Sequence, residues 1–277
     1  MDAFCRRETR KNSVMIKISF IGAGHVAWHI SQALENAGNS VQEVFSRDPE
    51  KARDLVSYLY NARVQEHLDF SESSSTVFFL CVPESAYAQV LPELLLPKYA
   101  TLVLVAGTAS LTESMIQYDP LRESTNQMGV LFPVQHLQAE RKISLSNVPI
   151  CIEVLVEETE ATLVHLAKDI SKSIYLVNGE ERKKIHLAML MAGLFTQQLW
   201  QQAQSLLESI ELDKTLIQGV VQNYVQAFFA NQVLHADQDI AKLSDSRVVF
   251  DQQAFMSRPE MQEIYKNMLA LVKSNPI

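Results

Sequence analysis

The run Gly22-Ala23-Gly24-His25-Val26-Ala27 constrains this chain more than any other feature. It is a G-x-G-x-x-A turn. The β-rich run Ile16 to Ile21 precedes it, and a helix-like segment, His25 to Ala37, comes after it and ends at Gly38. Glycine at the first position permits a tight turn. Glycine at the second lets a bound group approach the backbone, and a small third residue lets the helix pack closely on the strand. A helix starting there offers free N–H groups and the positive end of its dipole to an anion. Alone, these letters also describe a glycine turn that binds nothing. Between a strand and a helix, they predict a diphosphate cradle.

The context extends along the chain. Val41 to Phe45 is strand-like, and Asp48-Pro49 starts a helix with Asp as N-cap and Pro in the first turn. Val77 to Val82 is almost wholly apolar, as a parallel strand covered on both faces should be. Pro83 ends it, and Glu84 to Leu95 suits a helix. Leu102 to Val105, Met128 to Phe132 and Ile150 to Val154 continue the strands; Glu157 to Ile170 is helical, and Ser173 to Val177 is a last strand. Such alternation predicts a parallel sheet with helices on both faces.

From about Glu180 only helical periods remain. Ile185, Ala188, Ala192, Phe195, Leu199, Ala203 and Leu206 recur three or four apart and read as a core face. Leu216, Val220, Tyr224, Phe228 and Val233 give a second helix, and Pro259 to Val272 a third. Asn178-Gly179 is the turn signal between the two regimes. The expected fold class is therefore α/β: an N-terminal Rossmann-like parallel sheet over residues 15–178, with an all-α C-terminal domain over 179–277. Met15 opens directly into the first strand, so residues 1–14 read as a flexible tail or an upstream start.

The second strand bears on cofactor choice. Folds specific for NAD place a carboxylate at its end for the ribose 2′-hydroxyl. Here the end reads Phe45-Ser46-Arg47. Ser46 can donate to a 2′-phosphate and Arg47 offers a charged planar fork, which favours NADP(H) over NAD(H). A solvated surface arginine beside a helix cap is the plainer alternative. A Rossmann-like fold for another adenosine ligand, such as S-adenosylmethionine, fits Ala27 and Ser46-Arg47 less well.

Several classes are excluded. The 277 residues carry a formal charge of -8 without a basic block, which argues against a nucleic-acid face. No apolar run approaches a membrane span. Cys5, Cys81 and Cys151 are odd in number and scattered, which points to a reducing cytosol. No metal-ligand spacing, Walker loop or Gly-x-Ser-x-Gly elbow is present.

Candidate chemistry lies in the helix after Gly179. Lys183, His186, Leu190, Gly193 and Gln197 fall three or four apart, on a face distinct from the expected core face. His186 could exchange a proton near neutral pH, Lys183 could hold a carboxylate or polarise a carbonyl, and Gly193 would admit a close ring. A solvated face or a dimer contact has the same composition. His25 reads as a local positioning residue, and His136 as either a cleft or a surface-loop residue. Phe228, Phe229, Trp200 and Phe195 read as core or dimer seam.

Phe20-Ile21-Gly22-Ala23-Gly24-His25-Val26-Ala27 resembles the opening of pyrroline-5-carboxylate reductases and of 6-phosphogluconate dehydrogenase-like proteins. Phe79-Leu80-Cys81-Val82-Pro83 and Ala106-Gly107-Thr108 are similar to the strand-four and strand-five loops of that group. The resemblance implies that Val82 and Pro83 lie beside the cofactor and that Gly107 lies near the nicotinamide. From Met15 onward the closer likeness is to a little-characterised family, assigned as NADP oxidoreductases, that pairs such a domain with a helical domain of unknown function. Lys183 to Ala188, Phe195-Thr196 and Glu263 to Lys266 share it. Phe132 stands where relatives have His, Leu194 where they have Asn, and a Thr-Gly-Pro-Ala segment is missing near Ser244 to Asp251.

The resemblance thus implies an NADP(H)-dependent oxidoreductase acting on a small polar substrate where the two domains meet. The nicotinamide is expected between Gly107 and the His186 face, and a homodimer through the helical domain. The altered positions motivate a second expectation, a catalytically silent NADP(H)-binding sensor or interaction module.

Overall fold

The computed structural model describes residues 15–118, 127–139, 141, 143–232 and 245–274; the expected tail over residues 1–14 lies outside them. By its contacts the chain divides into two compact units, Met1–Ala192 and Gly193–Ile277.

The first unit is built on one eight-stranded sheet of order β3-β2-β1-β4-β5-β6-β7-β8. The strands are β1 (Lys17–Ile21), β2 (Ser40–Phe45), β3 (Arg63–Gln65), β4 (Val77–Leu80), β5 (Thr101–Leu104), β6 (Gln127–Pro133), β7 (Ile150–Val154) and β8 (Ile174–Leu176). The first six run parallel in the doubly wound order, which puts a topological switch point between β1 and β4. β4 and β5 are buried at every position, as sequences apolar throughout but for Thr101 suit. The helices around them are α1 (His25–Asn36), α2 (Pro49–Val56), α3 (Tyr87–Val90), α4 (Leu111–Tyr118), α5 (Glu157–Ile170) and α6 (Gly179–Leu190). Two apolar layers result. One joins α1, α2 and α5 to the sheet around the stacked rings of Phe20 and Phe79, 5.1 Å apart; the other packs Tyr87, Leu91 and Leu111 on Phe78, Leu80 and Leu102.

Three local differences from expectation have physical causes. β7 pairs antiparallel with β6 rather than parallel, because the described chain between them forms only a single 3-10 turn, Leu145–Asn147, and a parallel pair needs a longer crossover. The helix expected over Glu84 to Leu95 is broken into 3-10, α and 3-10 turns, since Pro92 has no N–H to donate and its ring crowds the preceding turn. The edge strand β3 is short and mostly polar, so its sequence carries no apolar signal.

Asn178 proves to be a helix cap. Its side chain accepts from Glu181 N at 3.0 Å, while Glu181 accepts from Asn178 N at 2.9 Å, a reciprocal capping box that starts α6. The sheet-bearing unit nevertheless continues to Ala192, because α6 is anchored to the sheet by Arg182.

The second unit contains α7 (Thr196–Glu208), α8 (Gln218–Phe229), α9 (Ser246–Ala254) and α10 (Pro259–Ser274). Ala227 is the only buried side chain among its described residues, while Phe228, Phe229, Phe250 and Phe255 are each more than two-thirds exposed. The core alternative for Phe228, Phe229, Trp200 and Phe195 therefore fails within this chain. Ile185, Ala188 and Ala192, expected in a core face, are half-buried or exposed.

Candidate functional site

The G-x-G-x-x-A turn sits at the switch point. Gly22 has φ +106°, its N–H donates to Phe45 O at 2.7 Å, and Cys81 N donates to Ile21 O at 2.7 Å. The turn is thus pinned between the ends of β2 and β4. A Cβ on Gly22 would lie 2.5 Å from Cys81 O and 3.1 Å from a methyl of Val82, so the fold itself demands glycine here. Ala27 is fully buried against the sheet.

Gly24 is different. It is the N-cap of α1, with φ -82° and ψ -176°, a conformation open to any residue. A Cβ there would meet nothing within 4 Å, and the position is exposed. Folding does not ask for glycine at this point. Among the described residues no side chain caps α1, and its first turn holds no acidic residue, so within them the orphan N–H groups and the dipole are unanswered. An open, uncapped helix start beside a glycine without a structural reason can take an external anion.

Around the turn, Val26 is half-buried. His25 Nδ1 accepts from Ala139 N at 2.9 Å, and His29 Nε2 lies 2.8 Å from Gln138 O, so two α1 histidines hold the stretch after β6 in place. Ser46 and Arg47 come directly after β2. Ser46 Oγ accepts from Asp48 N at 3.2 Å, while Arg47 is exposed and makes no ion pair among the described residues. Pro83 is exposed and Val82 half-buried after β4. His136 is an exposed loop residue.

The loop after β5 is clamped from two sides. Thr108 donates through N at 2.9 Å, and through its hydroxyl, to the Glu84 carboxylate. Burial pushes the Glu84 carboxyl up. The Thr108 hydroxyl and amide, the Ala109 amide and the charge of Arg182 outweigh that and leave it below the usual range. On the other side stands Arg182, wholly buried. Its Nε reaches Glu153 Oε2 at 2.9 Å, its Nη1 reaches Ala106 O at 3.1 Å, and its Nη2 donates to Ala109 O.

His186 lies one turn beyond Arg182, with its ring 5.8 Å from that of Phe132. A Cβ on Gly107 would fall 2.3 Å from His186 Cδ2. The imidazole therefore rests on the glycine, and no ring fits between the two as expected; glycine is needed because the histidine comes so close. Phe132 backs this same imidazole. Lys183 reaches Glu180 at 3.0 Å. The face projected through Leu190, Gly193 and Gln197 is not continuous, because Met191–Phe195 is a π-helical turn that rotates the register of the helix beyond it.

Sequence reasoning missed Arg182 and Glu84. Arg182 stands in the charged run Glu180 to Lys184 and looks like part of a solvated face. The usable signal was its partner: Glu153 is the one charged residue in the apolar strand Ile150–Val154, and a carboxylate there needs a cation.

The described residues contain no group of three or more metal-ligating side chains and no helix long and apolar enough to cross a membrane. The chain's fold resembles that of a protein of Bacteroides fragilis assigned as an NADP oxidoreductase, at 22% identity and TM-score 0.76 over 94% of this chain and 99% of that one. It also resembles a reductive aminase of Aspergillus terreus solved with NADPH and ethyl-5-oxohexanoate (16%, 0.70, 94% and 93%) and an imine reductase from Pseudomonas sp. (15%, 0.70, 94% and 94%). No match was found among curated protein sequences. Residues 17–108 match the family described as NADP oxidoreductase coenzyme F420-dependent, and residues 148–271 match the domain of unknown function DUF2520. The two models thus match separate stretches of the chain, the NADP oxidoreductase model the part with the glycine turn and the DUF2520 model the part that carries Arg182 and His186.

Proposed function

We propose that this chain is an NADP(H)-dependent oxidoreductase acting on a small polar substrate. The observation that carries the reading is Gly24, exposed, unstrained and open above an uncapped helix start. NADPH, when bound, supplies a hydride. Amides of the Gly22 to Ala27 turn hold the diphosphate, with Ala23, His25 and Val26 contributing backbone. Ser46 and Arg47 bind the 2′-phosphate, and Val82, Pro83 and Gly107 border the nicotinamide half.

Residues 15–178 form the dinucleotide-binding part and residues 179–277 the helical part in this reading. His186, resting on Gly107, is the proton-exchanging group, and Lys183, beside the clamped loop, is the substrate-orienting cation. The family match and the neighbours solved with NADPH support the cofactor; those neighbours make imines and ketones the first substrates to try. The exposed apolar side chains of the second unit support a homodimer through the helical part. The free thiols Cys81 and Cys151 support the cytosol as its setting.

The test is a fluorescence titration with NADPH and NADH on the wild type and on Gly24→Ala. NADPH should bind more tightly than NADH. Gly24→Ala should weaken NADPH by about tenfold or more without lowering the unfolding midpoint, because the new methyl meets the diphosphate and nothing else. Unchanged affinity in the variant overturns the reading. A second reading, a silent NADP(H) sensor, draws on the closed Gly107–His186 contact. Tight binding without turnover on any of these substrates would favour it.

A further inference from the structure

We infer that the cavity between the β4 and β5 loops, on the α3–α4 side of the sheet, is a binding site for a small organic ammonium ion. Its volume is about 360 Å³, and its lining includes Glu84, Tyr87, Glu113, Ser114, Gln117 and Lys183. Neither the Gly22 to Ala27 turn nor Ser46 and Arg47 contribute to it, so it is distinct from the diphosphate cradle.

Two buried side-chain polar atoms lack a hydrogen-bond partner among the described residues. They are Tyr87 Oη and Gln117 Oε1, and both residues line this cavity. Tyr87 is only 4% exposed. Buried polar groups in native proteins are nearly always satisfied, so two orphans at one cavity indicate an occupant. Water is the simplest occupant, but a water needs only about 30 Å³. The cavity is instead within the size range of small-molecule sites.

The chemistry of the lining selects the class. The Gln117 orphan is an amide oxygen and calls for a donor, and the tyrosine oxygen can also accept. Glu84, whose carboxylate accepts from Thr108, and Glu113 bring two carboxylates against the one ammonium of Lys183, which also reaches Glu180 at 3.0 Å. Acceptors and negative charge prevail, which disfavours an anion. A primary ammonium offers three N–H donors and a positive charge, matching both demands.

The test is calorimetric titration of the full, cofactor-free chain with n-propylammonium chloride, using potassium chloride and n-propanol as controls. It therefore reads independently of whether the glycine turn binds a dinucleotide. Saturable propylammonium binding is expected, about tenfold or more tighter than propanol and absent with potassium chloride. Gln117→Leu should weaken it by about tenfold, and Gln117→Glu, which keeps the acceptor and adds charge, should tighten it. No saturable binding, equal binding of propanol, or affinities unchanged in both variants would overturn the assignment, leaving the cavity to water.

Discussion

Replacing Arg182 by Met tests how the loop beside the candidate site is held. In the wild type the buried guanidinium answers the Glu153 carboxylate at 2.8 Å and two loop carbonyls, Ala106 O and Ala109 O. Arg182→Met leaves that carboxylate, 11% exposed, without its cation. Breaking a buried pair in this way costs about 3–5 kcal/mol, and the stranded carbonyls add to it. For a unit of this size that is a fall in unfolding midpoint of roughly 6–20 °C. The double variant Arg182→Met/Glu153→Leu strands only the carbonyls, so it should recover most of the charge penalty, again about 3–5 kcal/mol. Urea unfolding read through Trp28, in a Trp200→Phe background, isolates the sheet-bearing unit. A single variant losing less than about 1 kcal/mol, or a double variant no more stable than the single, would refute the clamp.

Arg47→Ala should weaken NADPH by about tenfold and leave NADH nearly unchanged, because only NADPH carries the 2′-phosphate; equal losses in parallel titrations would remove Arg47 from the site. His186→Ala should lower the single-turnover rate on an active substrate by about a hundredfold while NADPH affinity stays within a factor of a few; an unchanged rate would exclude proton exchange there. Glu35 is 8% exposed, and burial pushes its carboxyl above the usual range despite amide donors from Tyr60 and Val41. Its protonated form is thus favoured by folding. That contribution is full below the ordinary glutamate value and is lost as pH rises through the raised one. Glu35→Gln should flatten the fall of the unfolding midpoint with pH across this window, and an unaltered profile would sink the argument.

Much of the cofactor half was legible because its signals are local. The glycine turn, the apolar β4 and β5 strands and the Asp48-Pro49 helix start are each written in a few adjacent residues, and each is found as read. The cost of a side chain at a turn, or of an unpaired polar group in a strand, is decided within that short span. The antiparallel β7 and the broken α3 region were legible in principle, through the missing crossover helix and through Pro92.

The other half of the candidate site was not legible, because partners distant in the chain decide it. Arg182 joins Glu153, Ala106 and Ala109; His186 meets Gly107 and Phe132; Tyr87 and Gln117 come to one cavity. The amino-acid sequence by itself determined where most strands and helices begin and where a glycine turn opens a helix, since those outcomes depend on backbone freedom at named positions. Only the tertiary structure decided which charge is buried, which histidine touches the loop and which polar atoms stay unanswered. Those outcomes depend on the dielectric and neighbours that remote segments bring together.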